Sequence, residues 1–260
     1  MKTLVITGAS SGIGKATAEL FAARDYKVYN LSRHGESTPQ IVHIPCDVTD
    51  EEQVQQAIRQ IIGQEDKIDV LVSNAGCGIS GAIEFTASTE MEHQMRVNFF
   101  GTVNVVKAVL PYMRQQQSGR IVLMSSVAAV LPIPYQAFYS ASKAAVNAYG
   151  LALRNEVAEF GIRVSVMMPG DVQSGFTKAR EKNIQGTDIY PHLQNAVATM
   201  ERDEQNGMST KAIALKLWRI AGRRCPAPLY TAGAQYHLFV FLERVLPKRL
   251  SNWIVRLLYS

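Results

Sequence analysis

One junction near the start of the chain constrains the fold more than any other feature. The β-rich run TLVIT leads directly into TGASSGIGKATAEL, where Gly8, Gly12 and Gly14 are spaced G-x-x-x-G-x-G at the start of an amphipathic helix. Glycine lets the backbone approach a pyrophosphate, and a helix N-terminus offers unpaired N–H groups and a positive dipole end. This strand, turn and helix together predict a dinucleotide-binding turn.

Six further β-rich runs follow, separated by longer segments with helical periodicity. The seven candidate strands span residues 3–7, 27–32, 40–45, 70–74, 120–125, 163–168 and 228–233. Their nearly continuous apolar character is typical of a parallel sheet covered by helices on both faces. We therefore predict one α/β domain over residues 1–260, Rossmann-type and doubly wound, with a mainly parallel seven-stranded sheet. Its ligand site is expected at the carboxyl ends of the strands.

The segment after the third candidate strand shows the clearest helical pattern. Its apolar residues recur at i, i+3, i+4 and i+7, namely Val54, Ala57, Ile58 and Ile61. Thr49 is followed three residues later by Glu52, which matches a capping box. We predict a helix that is capped by Thr49 and buries this apolar face.

Residues 171–208 interrupt the alternation of strands and helices. They are rich in charged and polar residues, and they include Gly175, Gly186, Pro191 and Gly207. We interpret them as a long excursion between the sixth strand and the next helix. A lid over a pocket and a surface insertion are both open, and the exit of the segment from the end of a strand favours the lid.

Composition narrows the function classes. The chain of 260 residues is 47% hydrophobic and 19% charged, as globular proteins are, and no apolar run is long enough to span a bilayer. The segment MKTLVITG has too short an apolar core for a signal peptide, so we expect a cytoplasmic protein. The net charge of +5 comes without a basic run, and the cysteines and histidines show no ligand spacing. We predict no nucleic-acid partner and no metal site.

The stretch YSASK places Tyr139 and Lys143 four residues apart, on one face of a helix. Ser126 precedes Tyr139 by 13 residues, at the end of the fifth candidate strand. Reduction of a ketone needs a hydride on carbon and a proton on oxygen, which a phenol can donate. The pair alone is also compatible with an ordinary exposed helix face, and Ser126 favours the chemical interpretation. The intervening Ser140, Ala141 and Ser142 are interpreted as small spacers beside a ribose.

Lys143 has a predicted electrostatic role. A phenol with a pKa of about 10 is a poor base near neutral pH, and lowering that pKa by about three units requires about 4 kcal/mol. One ammonium about 4 Å away supplies about 1 kcal/mol in bulk water, but about 4 kcal/mol at an effective dielectric of 20. We expect Lys143 to lower the pKa of Tyr139 if the cleft is partly closed to water.

The end of the second candidate strand reads Leu31, Ser32, Arg33 and His34, with no acid until Glu36. A carboxylate at this point would bind the ribose hydroxyls of NAD and repel a 2′-phosphate. Arg33 instead favours the phosphate, which predicts NADP(H). A solvated arginine in a turn is the alternative.

Together these motifs resemble the short-chain dehydrogenases/reductases. The resemblance covers about the first 175 residues and is carried by six motifs in order: the glycine loop, SNAG at 73–76, VN at 97–98, SS at 125–126, YSASK at 139–143 and PG at 169–170. It implies that Asn98, Ser126, Tyr139 and Lys143 form a catalytic tetrad. In that tetrad Asn98 fixes a water that links Lys143 to solvent.

The resemblance also implies a set of NADP(H)-binding residues. Asp47 and Val48 meet the adenine, and Asn74, Ala75 and Gly76 line the cleft. The full set is Gly8, Ser10, Ser11, Gly12, Ile13, Gly14, Arg33, Asp47, Val48, Asn74, Ala75, Gly76, Tyr139, Lys143, Pro169, Gly170, Val172 and Ser174. Ser73 stands where the family often has Asn, and Ser174 where Thr is common. Serine keeps a hydroxyl in both places.

The tail, residues 234–260, is strongly apolar. One face of its last helix is predicted to carry Leu250, Trp253, Ile254, Leu257 and Leu258, with Lys248, Arg249 and Arg256 elsewhere. Three interpretations are open: packing on the chain's own core, a partner subunit in a homodimer or homotetramer, or peripheral contact with an anionic membrane.

The substrate is predicted to be a small-molecule alcohol or ketone that is bulky and apolar. Leu131, Ile133 and Phe138 give the pocket a hydrophobic wall, and the tail resembles that of family members acting on steroids, retinoids and lipid ketones. A hydroxysteroid or a lipid-like ketone fits this wall. The alternatives are a 3-oxoacyl thioester reductase of the same family and a non-catalytic NADP sensor.

Overall fold

A computed structural model describes residues 1–259 of the chain, and Ser260 at the end of the predicted tail lies outside the described residues. The main sheet has seven strands, all of which the sequence predicts to within a few residues. They are β1 (Lys2–Thr7), β2 (Tyr26–Ser32), β3 (Ile41–Pro45), β4 (Val70–Ser73), β5 (Gly119–Met124), β6 (Ile162–Pro169) and β7 (Leu229–Ala232).

The order of the main sheet is β7-β6-β5-β4-β1-β2-β3, and every neighbouring pair is parallel. The chain direction across the sheet therefore reverses between β1 and β4, where a doubly wound sheet opens a crevice at its carboxyl edge. The predicted Rossmann-type parallel fold is confirmed.

Ten helices accompany the sheet in the described part of the chain. They are α1 (Gly12–Ala22), α2 (Glu51–Glu65), α3 (Ser88–Met95), α4 (Gly101–Gln115), α5 (Ala137–Glu156), α6 (Phe176–Ala179), α7 (Leu193–Gln205), α8 (Thr210–Gly222), α9 (Ala234–Val245) and α10 (Lys248–Leu258). A π-helical turn at Arg96–Phe100 joins α3 to α4. Single 3₁₀ turns occur at Ile83–Phe85, Val127–Ala129 and Ala158–Phe160.

Two core layers lie on opposite faces of the sheet. Along β1, Val5 packs into the layer under α2, α4 and α5, whereas Leu4 and Ile6 pack into the layer under α1 and α8. All three side chains are fully buried. Because both faces are covered, successive residues of the strand are apolar without alternation.

The start of α2 differs from its prediction by one residue. Asp50 is the N-cap, and its Oδ1 accepts from the backbone N–H groups of Glu52 at 3.0 Å and Gln53 at 3.1 Å. Thr49 instead donates its hydroxyl to Asp47 Oδ1 at 2.8 Å. Aspartate and threonine both serve as caps, and the two adjacent candidates could not be separated from the sequence. The predicted apolar face of α2 is buried as expected.

Residues 171–208 are folded rather than irregular. Residues 181–182 pair in parallel with 79–80, and residues 208–209 pair with 172–173. Asn183 Nδ2 donates to the Phe85 carbonyl at 2.9 Å, and these contacts fix α6 and α7 beside the carboxyl edge of the sheet.

The apolar face of α10 is not packed on the chain's own core. Its five predicted residues are between 36% and 56% exposed, so the self-packing interpretation is wrong for this face of α10, whereas Val240 of α9 is buried. None of the described helices has both the length and the apolar composition needed to cross a membrane.

Candidate active site

A cleft of about 910 Å³ opens at the carboxyl ends of β1, β4, β5 and β6. Of the residues predicted to bind cofactor, all except Gly14 line it. Ser126, Tyr139 and Lys143 line the same cleft, whereas Asn98 does not. The structure therefore brings together three of the four predicted catalytic side chains.

The glycine loop at the end of β1 has a conformation that requires small residues. Gly8 and Gly12 have φ angles of +67° and +57°, which side chains rarely adopt. A Cβ on Gly14 would lie 2.3 Å from the Gly8 carbonyl oxygen and 2.6 Å from Asn74 Nδ2. The side chain of Ser11, the N-cap of α1, makes no capping hydrogen bond. The first N–H groups of α1 are therefore left for a bound anion.

Thr7 and Asn74 join the glycine loop to the end of β4. The Thr7 hydroxyl accepts from the N–H groups of Asn74 and Ala75, both at 2.9 Å. Asn74 Nδ2 donates to the carbonyls of Thr7 at 3.0 Å and Gly8 at 3.1 Å. Sequence reasoning missed Thr7, because its partners lie 67 and 68 residues away. Its position at the last residue of β1, before a glycine loop, was the available signal.

Arg33 follows the last residue of β2 and lies exposed at the edge of the cleft. The turn that carries it is fixed by Ser32, whose hydroxyl donates to the His34 carbonyl at 2.8 Å. His43 Nε2 contacts the Ser32 carbonyl at 2.9 Å. The guanidinium therefore projects from an anchored turn at the cofactor end of the cleft.

Asp47 and Val48 lie beyond β3, in the same half of the cleft as Arg33. Asp47 Oδ1 is occupied by Thr49, which donates both its N–H and its hydroxyl. Asn104 Nδ2 donates to the Val48 carbonyl at 3.0 Å. Asp47 is thus held by local hydrogen bonds and Val48 by a hydrogen bond from α4, and both line the cleft.

Two hydrogen bonds attach α5 to the end of β5. Ser125 Oγ donates to the Lys143 carbonyl at 2.9 Å, and Lys143 Nζ donates to the Met124 carbonyl at 3.0 Å. Tyr139 lies one helical turn before Lys143, with its ring centroid 5.7 Å from the ammonium nitrogen. Ser126 hydrogen-bonds the Tyr139 phenol. A serine hydroxyl, a phenol and an ammonium thus converge on one wall of the cleft.

Burial dominates the protonation of this cluster. It raises the pKa of Tyr139 to about 12, and the hydrogen bond from Ser126 opposes it only in part. Burial also lowers the pKa of Lys143 to about 8. The expectation that Lys143 brings the pKa of Tyr139 down is not met in this structure: Ser126 and Arg180 are the groups that lower this pKa, and burial outweighs both. The phenol is protonated at neutral pH.

Asn98 is buried in the π-helical turn and does not reach the cleft. Its Oδ1 accepts from the Cys77 N–H at 2.8 Å, and its Nδ2 donates to the Cys77 carbonyl and to Ser142 Oγ, both at 3.0 Å. Every bonding group of the amide except one oxygen lone pair is used. Ser140 and Ser142 are also buried and hydrogen-bonded, and their role as small spacers beside a ribose stays a prediction.

The remaining predicted residues follow β6. A Cβ on Gly170 would lie 2.0 Å from the Tyr236 ring, so glycine lets α9 pack against the end of the strand. Ser174 lies beside the glycine loop, with its Cβ 3.6 Å from the position a Cβ on Gly12 would take. Pro169 and Val172 also line the cleft.

The second half of the cleft is formed largely by residues that sequence reasoning missed. Of the predicted wall, Leu131 and Ile133 line the cleft and Phe138 does not. The excursion and the tail add Phe176, Phe239, Val255 and Leu258. This apolar wall lies on the side where Tyr139 packs against Phe176 at 5.7 Å between ring centroids.

Carboxylates interrupt this apolar wall. Asp171, Asp203 and Glu204 line the cleft, and burial raises the pKa of Asp171 to about 6. The Tyr236 hydroxyl donates to Asp171, and Glu204 forms an ion pair with the buried Arg180. Arg202 Nε lies 3.7 Å from Asp203 Oδ1, so Asp171 is the carboxylate that gives the otherwise apolar substrate half a negative end.

No group of three or more His, Cys, Asp or Glu within residues 1–259 is arranged to hold a metal ion.

Comparison with known proteins places these features in one family. The family model described as short chain dehydrogenase matches residues 2–185. A 3-ketodihydrosphingosine reductase of Bacteroides thetaiotaomicron is 39% identical and covers 99% of this chain and 97% of its own. An 11-beta-hydroxysteroid dehydrogenase of Pinus massoniana is 30% identical, over 99% of this chain and 74% of its own.

Solved structures agree with the fold. A short-chain dehydrogenase from Streptomyces avermitilis superposes with a TM-score of 0.85 at 28% identity, over 97% of this chain and 95% of that one. ElxO with NADP bound superposes with a TM-score of 0.77 at 25% identity, over 91% and 99% of the two chains.

Proposed function

The chain belongs to the short-chain dehydrogenase/reductase family, and we propose that it is an NADPH-dependent reductase of a long-chain, lipid-like ketone. Members of this family are oxidoreductases that use a nicotinamide cofactor on alcohols and ketones. The observation that carries the proposal is the convergence of Ser126, Tyr139 and Lys143 on one wall of a cleft with an apolar far half.

The residues present fit a dinucleotide. The glycines of the loop leave room for a pyrophosphate, and the N-terminus of α1 has no side-chain cap and can bind its charge. Asn74 stabilises the turn by donating to the Gly8 carbonyl. Arg33 supports the phosphorylated form, because it adds positive charge at the cofactor end where NAD-specific sites have a carboxylate. When bound, the cofactor supplies the hydride.

The residues of the chain supply the proton and hold the carbonyl. Tyr139, protonated because of its raised pKa, donates its proton to the carbonyl oxygen as that oxygen gains charge. An alkoxide resembles hydroxide in basicity, and water has a pKa of about 15.7, so transfer from a phenol of pKa about 12 is downhill. Ser126 hydrogen-bonds the same oxygen, and Lys143 stabilises the phenolate that remains.

Asn98 is assigned a positioning role in this proposal. Its amide holds the backbone of Cys77 and the hydroxyl of Ser142, which lies within the YSASK stretch. It thereby supports the cleft wall from behind, and it is not given the water-binding role that the family resemblance implies.

The apolar half of the cleft supports a substrate with a long hydrocarbon part. Six apolar side chains from three separate segments line it. The relative that is 39% identical over nearly the full length of both chains is named for a long-chain ketone, 3-ketodihydrosphingosine. A hydroxysteroid is the second candidate, because a relative at 30% identity is named for one.

The carboxylates favour the amino ketone over the steroid. Asp171, Asp203 and Glu204 line the substrate half. Arg180 pairs with Glu204 and Arg202 pairs with Asp203, which leaves Asp171 without a basic partner in an ion pair. A neutral steroid gains nothing from this net negative charge, whereas the ammonium group of 3-ketodihydrosphingosine is attracted to it.

A substrate panel assayed by NADPH consumption tests the proposal. It comprises 3-ketodihydrosphingosine, its N-acetyl derivative, an uncharged long-chain ketone, a ketosteroid and a 3-oxoacyl thioester. We expect the highest kcat/KM for the amino ketone and a drop on N-acetylation. Turnover of the thioester with none of the long-chain ketones would replace this substrate assignment with that of an acyl thioester reductase.

A further inference from the structure

The tail of the chain concentrates exposed apolar surface. Among the described residues, fifteen large apolar side chains are exposed, and nine of them lie in α9 and α10. On α9, Leu238, Phe241 and Val245 share one face and are 54%, 59% and 58% exposed. Trp253 and Leu257 continue this surface on α10 at 54% and 56%. A patch of this size marks an interaction site.

The same two helices are basic. Residues 234–260 contain four Lys or Arg and one acid, Glu243, which pairs with Lys248. Arg244 and Arg249 are exposed beside the apolar surface. Exposed tryptophan, aliphatic side chains and cations on one amphipathic helix are the pattern of helices that lie in a membrane interface.

A second groove lies between this surface and the cleft. It has a volume of about 770 Å³ and lies between residues 129–132 and α10, with Arg249 and Asn252 among its lining residues. Leu131 and Val255 line both this groove and the cleft. The groove and the cleft therefore meet at this apolar pair, which a hydrocarbon chain entering beside α10 would pass to reach the substrate half.

We propose that α9 and α10 dock on an anionic lipid bilayer, and that the groove beside α10 admits a long-chain ketone from that bilayer into the cleft. The second part rests on the proposed function, whereas the docking does not. Anionic lipid headgroups complement Arg244 and Arg249, and the apolar side chains between them enter the headgroup region.

Charge decides between a bilayer and a second copy of the chain. A two-fold interface places the same patch of both copies together. It would bring together two copies of a surface with four Lys or Arg and one acid, Glu243, which already pairs with Lys248. An anionic bilayer removes this repulsion, so the bilayer is the occupant that the surface fits.

Vesicle binding tests the docking without any substrate. Trp218→Phe leaves Trp253 as the only tryptophan of the chain, so its emission reports on α10. We expect a blue shift and cosedimentation with phosphatidylglycerol/phosphatidylcholine vesicles, little binding to phosphatidylcholine alone, and loss of binding at about 0.5 M salt.

Matched variants locate the binding surface. Trp253→Ser with Leu257→Ser should weaken vesicle binding about tenfold or more. The control pair Ile184→Ser and Ile189→Ser removes equally exposed apolar side chains elsewhere and should leave it unchanged. Equal binding by both pairs, or no binding of the wild type to anionic vesicles, overturns the docking. A concentration-dependent dimer that the tail pair abolishes, without vesicle binding, assigns the surface to a second copy.

Activity assays test the groove. With a long-chain ketone held in vesicles, the tail pair should lose about tenfold in kcat/KM, while its turnover of a short water-soluble ketone stays at the wild-type level. Ala129→Phe, in the groove, should keep vesicle binding and raise KM for the long-chain ketone; an unchanged KM overturns entry by this route. If the wild type reduces neither ketone, the proposed function fails while the vesicle result stands on its own.

Discussion

The ammonium of Lys143 donates to the main-chain carbonyl of Met124 at 3.0 Å, inside the wall of the cleft. The lysine is only 5% exposed, and its burial lowers its pKa from 10.5 to about 8. The fold thus holds a cation where burial disfavours its charge, one helical turn from the Tyr139 phenol. Strain of this kind is typical of a functional site.

We expect Lys143→Met to abolish turnover and to stabilise the protein near neutral pH. The unfolded chain keeps the lysine proton up to pH 10.5, and the folded chain releases it near pH 8. The free energy of unfolding of the wild type therefore rises with pH across this window, by about 3 kcal/mol from this group. Methionine removes that dependence, so the variant's advantage at pH 7 should fade by pH 10.5.

Urea unfolding at pH 7 and pH 10.5 measures the difference, with the exposed Lys211→Met as the control. If the free energies of unfolding of wild type and Lys143→Met differ by the same amount at both pH values, burial does not disfavour the charge of Lys143.

Tyr139→Phe should reduce kcat by about 10²- to 10⁴-fold, because it removes the proton donor and leaves the ring in place. NADPH affinity, measured by fluorescence titration, should change little. Tyr149→Phe is the matched control, since it lies on the same helix but outside the cleft. Comparable loss in both variants would point to a structural effect on α5 instead of proton donation.

The raised pKa of Tyr139 predicts different pH profiles for the two directions. Ketone reduction uses the protonated phenol, which persists at all pH values well below about 12. Alcohol oxidation uses the phenolate, so its kcat/KM should keep rising from pH 7 to pH 10. An oxidation profile that levels off near pH 7 would mean that the bound cofactor and Lys143 together overcome the effect of burial.

The sequence predicts the parts of this molecule that depend on local pattern. The central strands are visible because they are buried on both faces, and the edge strands β3 and β7 because they are still largely apolar. The glycine loop is visible because its backbone tolerates few other residues. The bond from Lys143 to Met124 could not be predicted, since a main-chain acceptor leaves no trace in residue type. The contact between Asp171 and Tyr236 joins residues 65 positions apart and depends on how α9 returns to the sheet.

The helical periodicity of the tail does not show whether its apolar face is buried or exposed. The spacing of Leu250, Trp253 and Leu257 is the same whether the face is buried in the core or exposed, and only the tertiary placement of α10 separates the two. Asn98 is a related case: its residue type fits a water-binding role, but the fold uses its amide for Cys77 and Ser142.

Arg33→Asp should lower kcat/KM with NADPH by about 10- to 100-fold, which corresponds to the loss of a charge-assisted hydrogen bond. The new carboxylate should at the same time improve the use of NADH, because it can bind ribose hydroxyls. Arg59→Gln, exposed on α2 and outside the cleft, controls for the change in net charge. An NADPH to NADH ratio that stays at the wild-type value would remove Arg33 from cofactor selection.

Gly14→Ala should damage the cofactor site through the backbone. Its Cβ would lie 2.3 Å from the Gly8 carbonyl oxygen, which is main chain and cannot rotate away. We expect a loss of about 1–3 kcal/mol in the free energy of unfolding and at least about tenfold weaker NADPH binding, because the loop must shift. Gly175→Ala is the control, since a Cβ there has no heavy atom within 4 Å. Urea unfolding and NADPH titration of both variants check this, and normal NADPH affinity in Gly14→Ala would show that the loop adapts without cost to the site.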